Sequence, residues 1–236
     1  MFYYYGYDWT YIVLVLPFII LSLLASASVK STFKKYSSQF SRRGLTGAQA
    51  ADQVLRANGV YNVRIERIPG DLTDHFDSKT NVIRLSDSVC DSSSVAAIGV
   101  ACHEAGHAVQ YAQGYGPIQL RAAIIPITNI GSKLAMPLIL LGLLLEFLGG
   151  ISNFFVAAGV ICFSFSLIFQ LITLPVEFNA SHRAITAISQ SGILFDNEIS
   201  GAKKTLRAAA MTYVAATAVA LMQLIRLIMI FNKRRN

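Results

Sequence analysis

Residues 154–174, FFVAAGVICFSFSLIFQLITL, form an apolar run without a charged side chain. Because a helix needs about 20 mainly apolar residues to cross the hydrocarbon core of a bilayer, this run predicts a membrane span. A second apolar run, 134–149, precedes it, and a short break around Asn153 separates the two. The two runs are therefore predicted to form a helical hairpin in a mainly α-helical protein that crosses the membrane about four times.

Residues 9–29 and 209–231 are the other two apolar runs of spanning length. The first follows MFYYYGYD, which has no lysine or arginine, whereas a secretory signal peptide needs a basic start. We therefore predict a retained N-terminal anchor. Arg226 interrupts the last run and the basic sequence NKRRN follows it, so a cationic helix along the interface is the alternative to a crossing. We predict that it crosses.

The composition also favours a membrane protein. Of the 236 residues, 54% are hydrophobic and 14% are charged, whereas soluble domains carry about 25% charged residues. The net charge of +7 comes mostly from basic residues that flank the apolar runs, as expected at the edge of a bilayer. No nucleic-acid motif is evident, so nucleic acid is not expected as a partner. Three irregularly spaced cysteines predict no disulfide framework.

A cluster of basic residues follows the first apolar run and predicts which side of the membrane it faces. Lysines and arginines concentrate on the cytoplasmic side, which predicts a plasma-membrane protein with its N-terminus outside and its active site at the cytoplasmic face. Four spans that start outside also end outside, and the basic C-terminal tail does not favour this. The basic residues in the first cluster are Lys30, Lys34, Lys35, Arg42 and Arg43.

The main polar region precedes the hairpin and is predicted to fold as a small α+β, zincin-like catalytic region. Thr46 is a typical helix N-cap, and Asn58 with Gly59 is a typical helix stop. Alternating or β-favouring segments predict two short strands. The predicted elements are a helix between Thr46 and Asn58, strands at 63–68 (VRIERI) and 81–86 (NVIRLS), and a helix at 94–112.

The predicted helix 94–112 carries the motif His103-Glu104-x-x-His107. Side chains four residues apart lie on one helix face, so both imidazoles can bind one zinc ion. Glu104 can then act as general base toward a zinc-activated water. A chance match is the alternative, but such buried polar side chains on an apolar helix would be costly without a shared partner. Gly106 costs roughly 1 kcal/mol inside a helix, which predicts the close approach of another backbone.

A third protein ligand is needed to complete a site of this kind. Glu177 follows the apolar run 154–174 after two residues, at a point predicted to lie at the membrane surface. His182 and His75 are rivals, and a carboxylate paired with Arg183 is the structural alternative for Glu177. Spacing alone leaves these choices open.

Four stretches together resemble the YugP-like membrane neutral zinc metallopeptidases, over nearly the whole chain. They are LTDHFD (72–77), IRLS (83–86), AAIGVACHEAGHAVQ (96–110) and LPVEFNASHRA (174–184). The resemblance implies a gluzincin site, as in HtpX-like and CAAX prenyl proteases, with one zinc ion per chain held by His103, His107 and Glu177. In those distant relatives an aspartate commonly lies four residues after the glutamate; here this residue is Ser181. Asn179 and His182 are the candidates to take over its support of the ligands.

Other residues near the motif have two interpretations each. An extended substrate often lies along an edge strand beside the catalytic helix, so the segment 81–85 is predicted to be a substrate-binding edge strand; the alternative is a purely structural strand. His75 is either a transition-state stabiliser or a capped loop histidine. Cys102 points to another face of the helix and is interpreted as packing. The segment comprises Asn81, Val82, Ile83, Arg84 and Leu85.

The predicted function is that of a membrane-embedded zinc endopeptidase acting on membrane or membrane-proximal proteins, with those substrates and the lipid bilayer as its partners. A catalytically silent zinc-binding scaffold that regulates a membrane complex is the main alternative. Glu146 and Arg226 in apolar segments suggest a transporter, which we do not favour. The polar sequence before 94–112 argues against a catalytic helix that itself spans the bilayer. The predicted segments are an anchor (1–30), a catalytic region (31–117), a hairpin (118–175), a third-ligand region (176–208), and a last span with its basic tail (209–236).

Overall fold

The computed structural model describes residues 9–148 and 150–235. Most of these residues are helical, with one small sheet between the helices. In chain order the elements are a π-helical turn (Tyr11–Val15), α1 (Leu16–Ser37), α2 (Gly47–Ala57), β1 (Arg64–Ile68), β2 (His75–Asp77), β3 (Val82–Ser86), α3 (Asp87–Cys90), α4 (Val95–Ala112), α5 (Gly116–Leu144), a 3-10 turn (Glu146–Leu148), α6 (Gly150–Gln190) and α7 (Asp196–Arg235).

The chain packs as two units. The apolar unit comprises Met1–Leu24, Leu120–Thr173 and Thr212–Asn236, and the site unit comprises Ala25–Gln119 and Leu174–Met211. The finer division into five segments stays a prediction.

Four helices within the described residues are long and apolar enough to cross a membrane, and each of them overlaps one of the four predicted runs. Their most apolar windows have mean hydropathies of 2.6, 1.6, 2.3 and 2.1, and no more than 17% of any window is buried inside the protein. Such broad exposed apolar surface is characteristic of contact with lipid. The chain is therefore a membrane protein with four candidate spans among its described residues. The helices are Tyr11–Ser37, Gly116–Leu144, Gly150–Gln190 and Asp196–Asn232.

α5 and α6 form a close pair of helices in the apolar unit, in the region where the hairpin is predicted. A Cβ on Gly159 of α6 would lie 2.8 Å from the Ala135 carbonyl oxygen of α5, and one on Gly142 would lie 2.9 Å from the Ser152 carbonyl oxygen. The Ser152 hydroxyl also donates to the Gly142 carbonyl at 2.6 Å. Small residues let membrane helices approach in this way, because their backbones can touch.

All four of the long helices run past the ends that hydropathy predicted, and α1 continues to Ser37. α5 begins at Gly116 rather than near residue 134, α6 continues through Pro175, and α7 is unbroken across residues 208–209. Apolar composition marks the part of a helix suited to lipid, whereas the helix itself continues as long as its backbone hydrogen bonds are satisfied. A proline removes one such bond but does not necessarily end a helix held by its neighbours.

Local signals in the site unit predicted α2 and α4 correctly, whereas the four-residue helix α3 was not predicted. The Thr46 hydroxyl accepts from the Gln49 amide at 3.3 Å, and the Gln49 side chain accepts from the Thr46 amide at 3.0 Å, which is a capping box. Gly59, with φ of +72°, follows the end of α2. Ser94 caps α4 by accepting from the Ala97 amide at 3.2 Å. Buried apolar side chains of α2, β3 and α4 form one core with the end of α6 and the start of α7.

The sheet has the strand order β1-β3-β2, which corrects one prediction. The strand at 81–86 is not an edge: β3 pairs in parallel with β1 and antiparallel with β2. The unpredicted strand is β2, and it occupies an edge instead. Its three residues are too few for a periodic pattern, so only the pairing with β3 reveals it.

Candidate metal centre

α4 and α6 meet at Gly106, and this contact sets the frame of the site. A Cβ on Gly106 would lie 2.7 Å from the Ala180 carbonyl oxygen of α6, closer than real Cβ contacts come. The close approach predicted from a glycine inside an apolar helix is therefore confirmed. Because only glycine allows this spacing, the motif on α4 comes within side-chain reach of α6.

His103, His107 and Glu177 converge at this helix contact. The Glu177 Oε2 atom lies 3.3 Å from His103 Nε2 and 3.5 Å from His107 Nε2. One ligand atom from each residue lies within 4.8 Å of the others, and the carboxylate and His107 are buried. Two imidazole nitrogens and one carboxylate oxygen are the donor set of catalytic zinc sites, which keep a fourth position open. The three side chains can thus hold a zinc ion.

A hydrogen-bonded chain behind His107 determines which of its nitrogens faces Glu177. The Arg183 Nε–H donates to Asn179 Oδ1 at 2.7 Å, so the Asn179 oxygen is directed toward this chain. Gln110, which is fully buried, donates from Nε2 to that oxygen and to the Val176 carbonyl, both at 2.9 Å. Its Oε1 is then left to accept from His107 Nδ1 at 3.0 Å. His107 Nε2 therefore keeps its lone pair for a metal ion.

His103 has a simpler support. Its Nδ1 lies 3.1 Å from the hydroxyl of Ser181. A hydroxyl can donate or accept, so this contact orients the ring but selects its tautomer less strictly than the Gln110 carbonyl does.

Glu104 is buried beside the cluster. Burial raises the pKa of Glu104 to about 7, while the charge of His103 and the Phe76 backbone amide act to lower it. The neighbouring carboxylates Glu177 and Asp74 add to the upward shift of the pKa. A carboxyl group with a pKa near the ambient pH can both take up and release a proton, as a general acid–base requires.

The other histidines considered as ligands lie elsewhere. His182 is exposed and lines a small cavity of about 200 Å³, which Gly106 also lines. His75 is exposed on β2, with Nδ1 2.9 Å from the Thr73 carbonyl. Neither belongs to the ligand cluster found among the described residues. Asn179 reaches the cluster through Gln110, and Cys102 is a fully buried core residue.

The segment proposed to bind substrate is occupied by contacts within the protein. The Asn81 side chain donates to the Asn62 carbonyl at 2.8 Å, and Val82, Ile83 and Leu85 are fully buried. Arg84 donates to Asp77 at 3.0 Å. These contacts agree with the structural alternative for the strand.

Sequence reasoning missed Gln110 and the contact made by Ser181. Gln110 lies one turn after His107 on an otherwise apolar stretch, and this position was the available signal. Ser181 was noted only as a departure from the expected aspartate, because sequence spacing does not show which imidazole a residue on another helix will contact.

The four apolar helices and the buried His–His–Glu cluster define a membrane protein with a metal site of the zinc-peptidase type. The chain belongs to the family whose model, described as "Putative neutral zinc metallopeptidase", matches residues 11–232. It is 47% identical over 216 residues to a Bacillus subtilis (strain 168) protein named "Putative membrane protease YugP", covering 92% of this chain and 94% of that protein. The comparison with solved structures gave no match.

Proposed function

We propose that the protein is a membrane-embedded zinc endopeptidase in which His103, His107 and Glu177 bind the ion and Glu104 is the general base. The observation that carries this proposal is the convergence of the three ligand atoms within 4.8 Å of one another at the contact between α4 and α6. The support behind both imidazoles adds to it, because ligands held by buried hydrogen bonds are oriented before an ion binds.

The protein's own groups account for binding and for proton transfer. A zinc ion, when bound, supplies a Lewis acid that polarises the scissile carbonyl and acidifies water. Gln110 and Ser181 hold the two imidazoles in place through Nδ1. The Glu104 carboxylate takes a proton from the attacking water and delivers it to the leaving amine, a role suited to its buried position beside His103.

The substrate would bind along β2 rather than along β3. β2 is an edge strand, and its Phe76 amide interacts with Glu104. An extended peptide that pairs with the free edge of β2 would pass close to the general base, with main-chain hydrogen bonds supplying affinity for varied sequences. His75 on this strand is then a candidate for contact with substrate.

Membrane proteins or membrane-proximal segments are the proposed substrates, at the cytoplasmic face of the plasma membrane. Glu177 lies within one helical turn of the apolar run that ends at residue 174, and basic residues follow the first span. Both features support a site near the cytoplasmic surface of the bilayer.

The test compares the wild-type chain with Glu104→Gln in proteoliposomes that also contain an unfolded, labelled membrane-protein segment. We expect cleavage by the wild-type protein and a loss of about 10²–10⁴-fold in rate for the variant, with zinc content unchanged. Glu66→Gln, which changes a half-buried carboxylate on β1, is the matched control and should cleave normally. Zinc binding without cleavage by the wild-type chain, and no functional loss in Glu104→Gln, would instead favour the zinc-binding scaffold.

A further inference from the structure

A groove of about 450 Å³ lies in the site unit between the C-terminal half of α1 and the N-terminal half of α7. The residues on its α1 side recur every three or four positions, so they share one helix face. Gly201 of α7 lies against Tyr36 of α1, where a Cβ would come within 2.7 Å of the ring. The two helices are therefore in close contact at the Tyr36 end of the groove.

One end of the groove is cationic. Lys35 of α1 and Lys204 and Arg207 of α7 line it, and no aspartate or glutamate is found among the described residues of the lining. Among the described residues, none of these three cations forms an ion pair with a carboxylate. The Lys35 ammonium lies 5.7 Å from the centre of the Tyr36 ring. Three unneutralised cations facing one concave space make a strong field for an anion.

The rest of the lining is made of hydroxyl groups near the cationic end and of apolar groups at the opposite end. Ser31 and Thr32 lie on α1 about one turn from Lys35 and offer hydroxyls to an anionic oxygen. Ala25 and Met211 line the opposite end, at the point where the apolar runs of α1 and α7 lie in the sequence. The groove thus changes from cationic to apolar along its length.

We propose that this groove binds an anionic phospholipid, with its phosphate among Lys35, Lys204 and Arg207 and the start of an acyl chain toward Ala25 and Met211. Lysine and arginine bind phosphate through short charge-assisted hydrogen bonds, and basic pockets at membrane edges bind anionic lipid head groups. A free phosphate would use only the cationic end. The match of both ends to one amphiphile favours the lipid.

The experiment titrates the full chain, in a neutral detergent, with three probes. These are dioctanoyl phosphatidylglycerol, dioctanoyl phosphatidylcholine and inorganic phosphate, with binding measured by calorimetry. We expect phosphatidylglycerol to bind at least about tenfold more tightly than the other two. Phosphatidylcholine at equal affinity would overturn the need for an anion, and phosphate at equal affinity would overturn the assignment to a lipid.

A charge-matched pair of variants shows whether the groove itself is responsible. The groove variant Lys35→Gln/Lys204→Gln/Arg207→Gln and the control Lys30→Gln/Lys34→Gln/Lys203→Gln each remove three exposed cations from the same two helices. We expect the groove variant to lose at least about tenfold in phosphatidylglycerol affinity, and the control less than about twofold. Equal losses would show diffuse surface attraction and overturn the site.

Zinc content and the thermal unfolding temperature report whether each variant is folded. If the triple groove variant fails these checks, Lys204→Gln and Lys204→Arg replace it. Weaker phosphatidylglycerol binding in the first and near wild-type binding in the second is the expected result. Unchanged binding in Lys204→Gln would overturn the role of this residue in the groove.

Discussion

α4 and α6 contribute to the same site by different means. α4 lies wholly within the site unit, and its helical repeat alone puts His103 and His107 on one face. α6 has 41 residues and contributes Glu177, 74 positions away from His103. The position of Glu177 depends on how closely the two helices pack. The two histidines are therefore placed by local helix geometry, whereas Glu177 is placed by tertiary packing.

The two helices also support each other's ligands. Gln110 of α4 hydrogen-bonds to Val176 and Asn179 of α6 as well as to His107. Ser181 of α6 contacts His103 of α4. The site should consequently fail whenever the contact between α4 and α6 fails, even with every ligand in place.

The largest expected effect comes from removing Glu177, the proposed third ligand. Glu177→Ala leaves the α4 motif intact but takes away the only carboxylate within reach of both imidazoles among the described residues. We expect cleavage to fall below detection and the purified protein to lose most of its zinc, measured by atomic absorption. Glu66→Ala is the control that should retain its zinc. Normal zinc content in Glu177→Ala would contradict the assignment of Glu177 as the third ligand.

Gly106→Val should separate the two helices without altering a ligand. Its Cβ would lie 2.7 Å from the Ala180 carbonyl oxygen, and overpacking of this kind costs about 1–3 kcal/mol of stability. We expect a lower unfolding temperature and at least about tenfold weaker zinc binding, measured by competition with a chromogenic chelator.

Gly116→Val is the control for this substitution, because a Cβ at Gly116 has no neighbour within 4 Å. If Gly106→Val bound zinc as tightly as the wild-type protein, the helix contact would not be what positions Glu177.

Gln110→Ala and Ser181→Ala compare the supports of the two imidazoles. Loss of the group that orients a metal-binding histidine typically costs about 10–100-fold in metal affinity. We expect Gln110→Ala to reach this range, because it removes the acceptor of His107 Nδ1 together with a buried side chain that also donates to the Val176 carbonyl and to Asn179. Ser181→Ala should cost less. Chelator competition ranks the two, and a larger loss in Ser181→Ala would reverse the comparison.

The smallest effect is expected at Arg183, the residue farthest from His107 in the series of hydrogen bonds that runs through Asn179 and Gln110. Arg183→Met removes the donor that holds Asn179 and should weaken zinc binding by less than about tenfold. Because Arg183 acts through Gln110, the double variant Arg183→Met/Gln110→Ala should bind zinc about as weakly as Gln110→Ala alone. Additive losses in this cycle would mean that Arg183 acts by another route.

The parts predicted well from sequence are those with short-range causes. The capping residue Thr46 begins its helix as expected, since a cap acts within three residues. Each apolar run overlaps a helix long enough to span a membrane, since hydropathy is a property of the run itself. Gly106 predicted that another backbone would come close, but it did not predict which one. The structure shows that the partner is Ala180.

The predictions that failed depended on long-range pairing. Nothing within residues 81–86 distinguishes an edge strand from a central one, because that depends on whether β2 pairs with it. The helix ends near Pro175 and residue 209 were placed at changes of composition, whereas the backbone hydrogen bonds continue past both. The supports from Gln110 and Ser181 likewise required the packing of α6 on α4.

By itself, the sequence determined the apolar segments, the helix that carries His103, Glu104 and His107, and the need for another ligand. These follow from hydropathy and from the 3.6-residue repeat, which act along one segment of chain. Only the tertiary structure decided that Glu177 joins the two histidines, that β2 is an edge and that Gln110 supports His107. The physical reason is that each of these depends on two segments far apart in sequence, whose distance is set by packing at contacts such as Gly106 against Ala180.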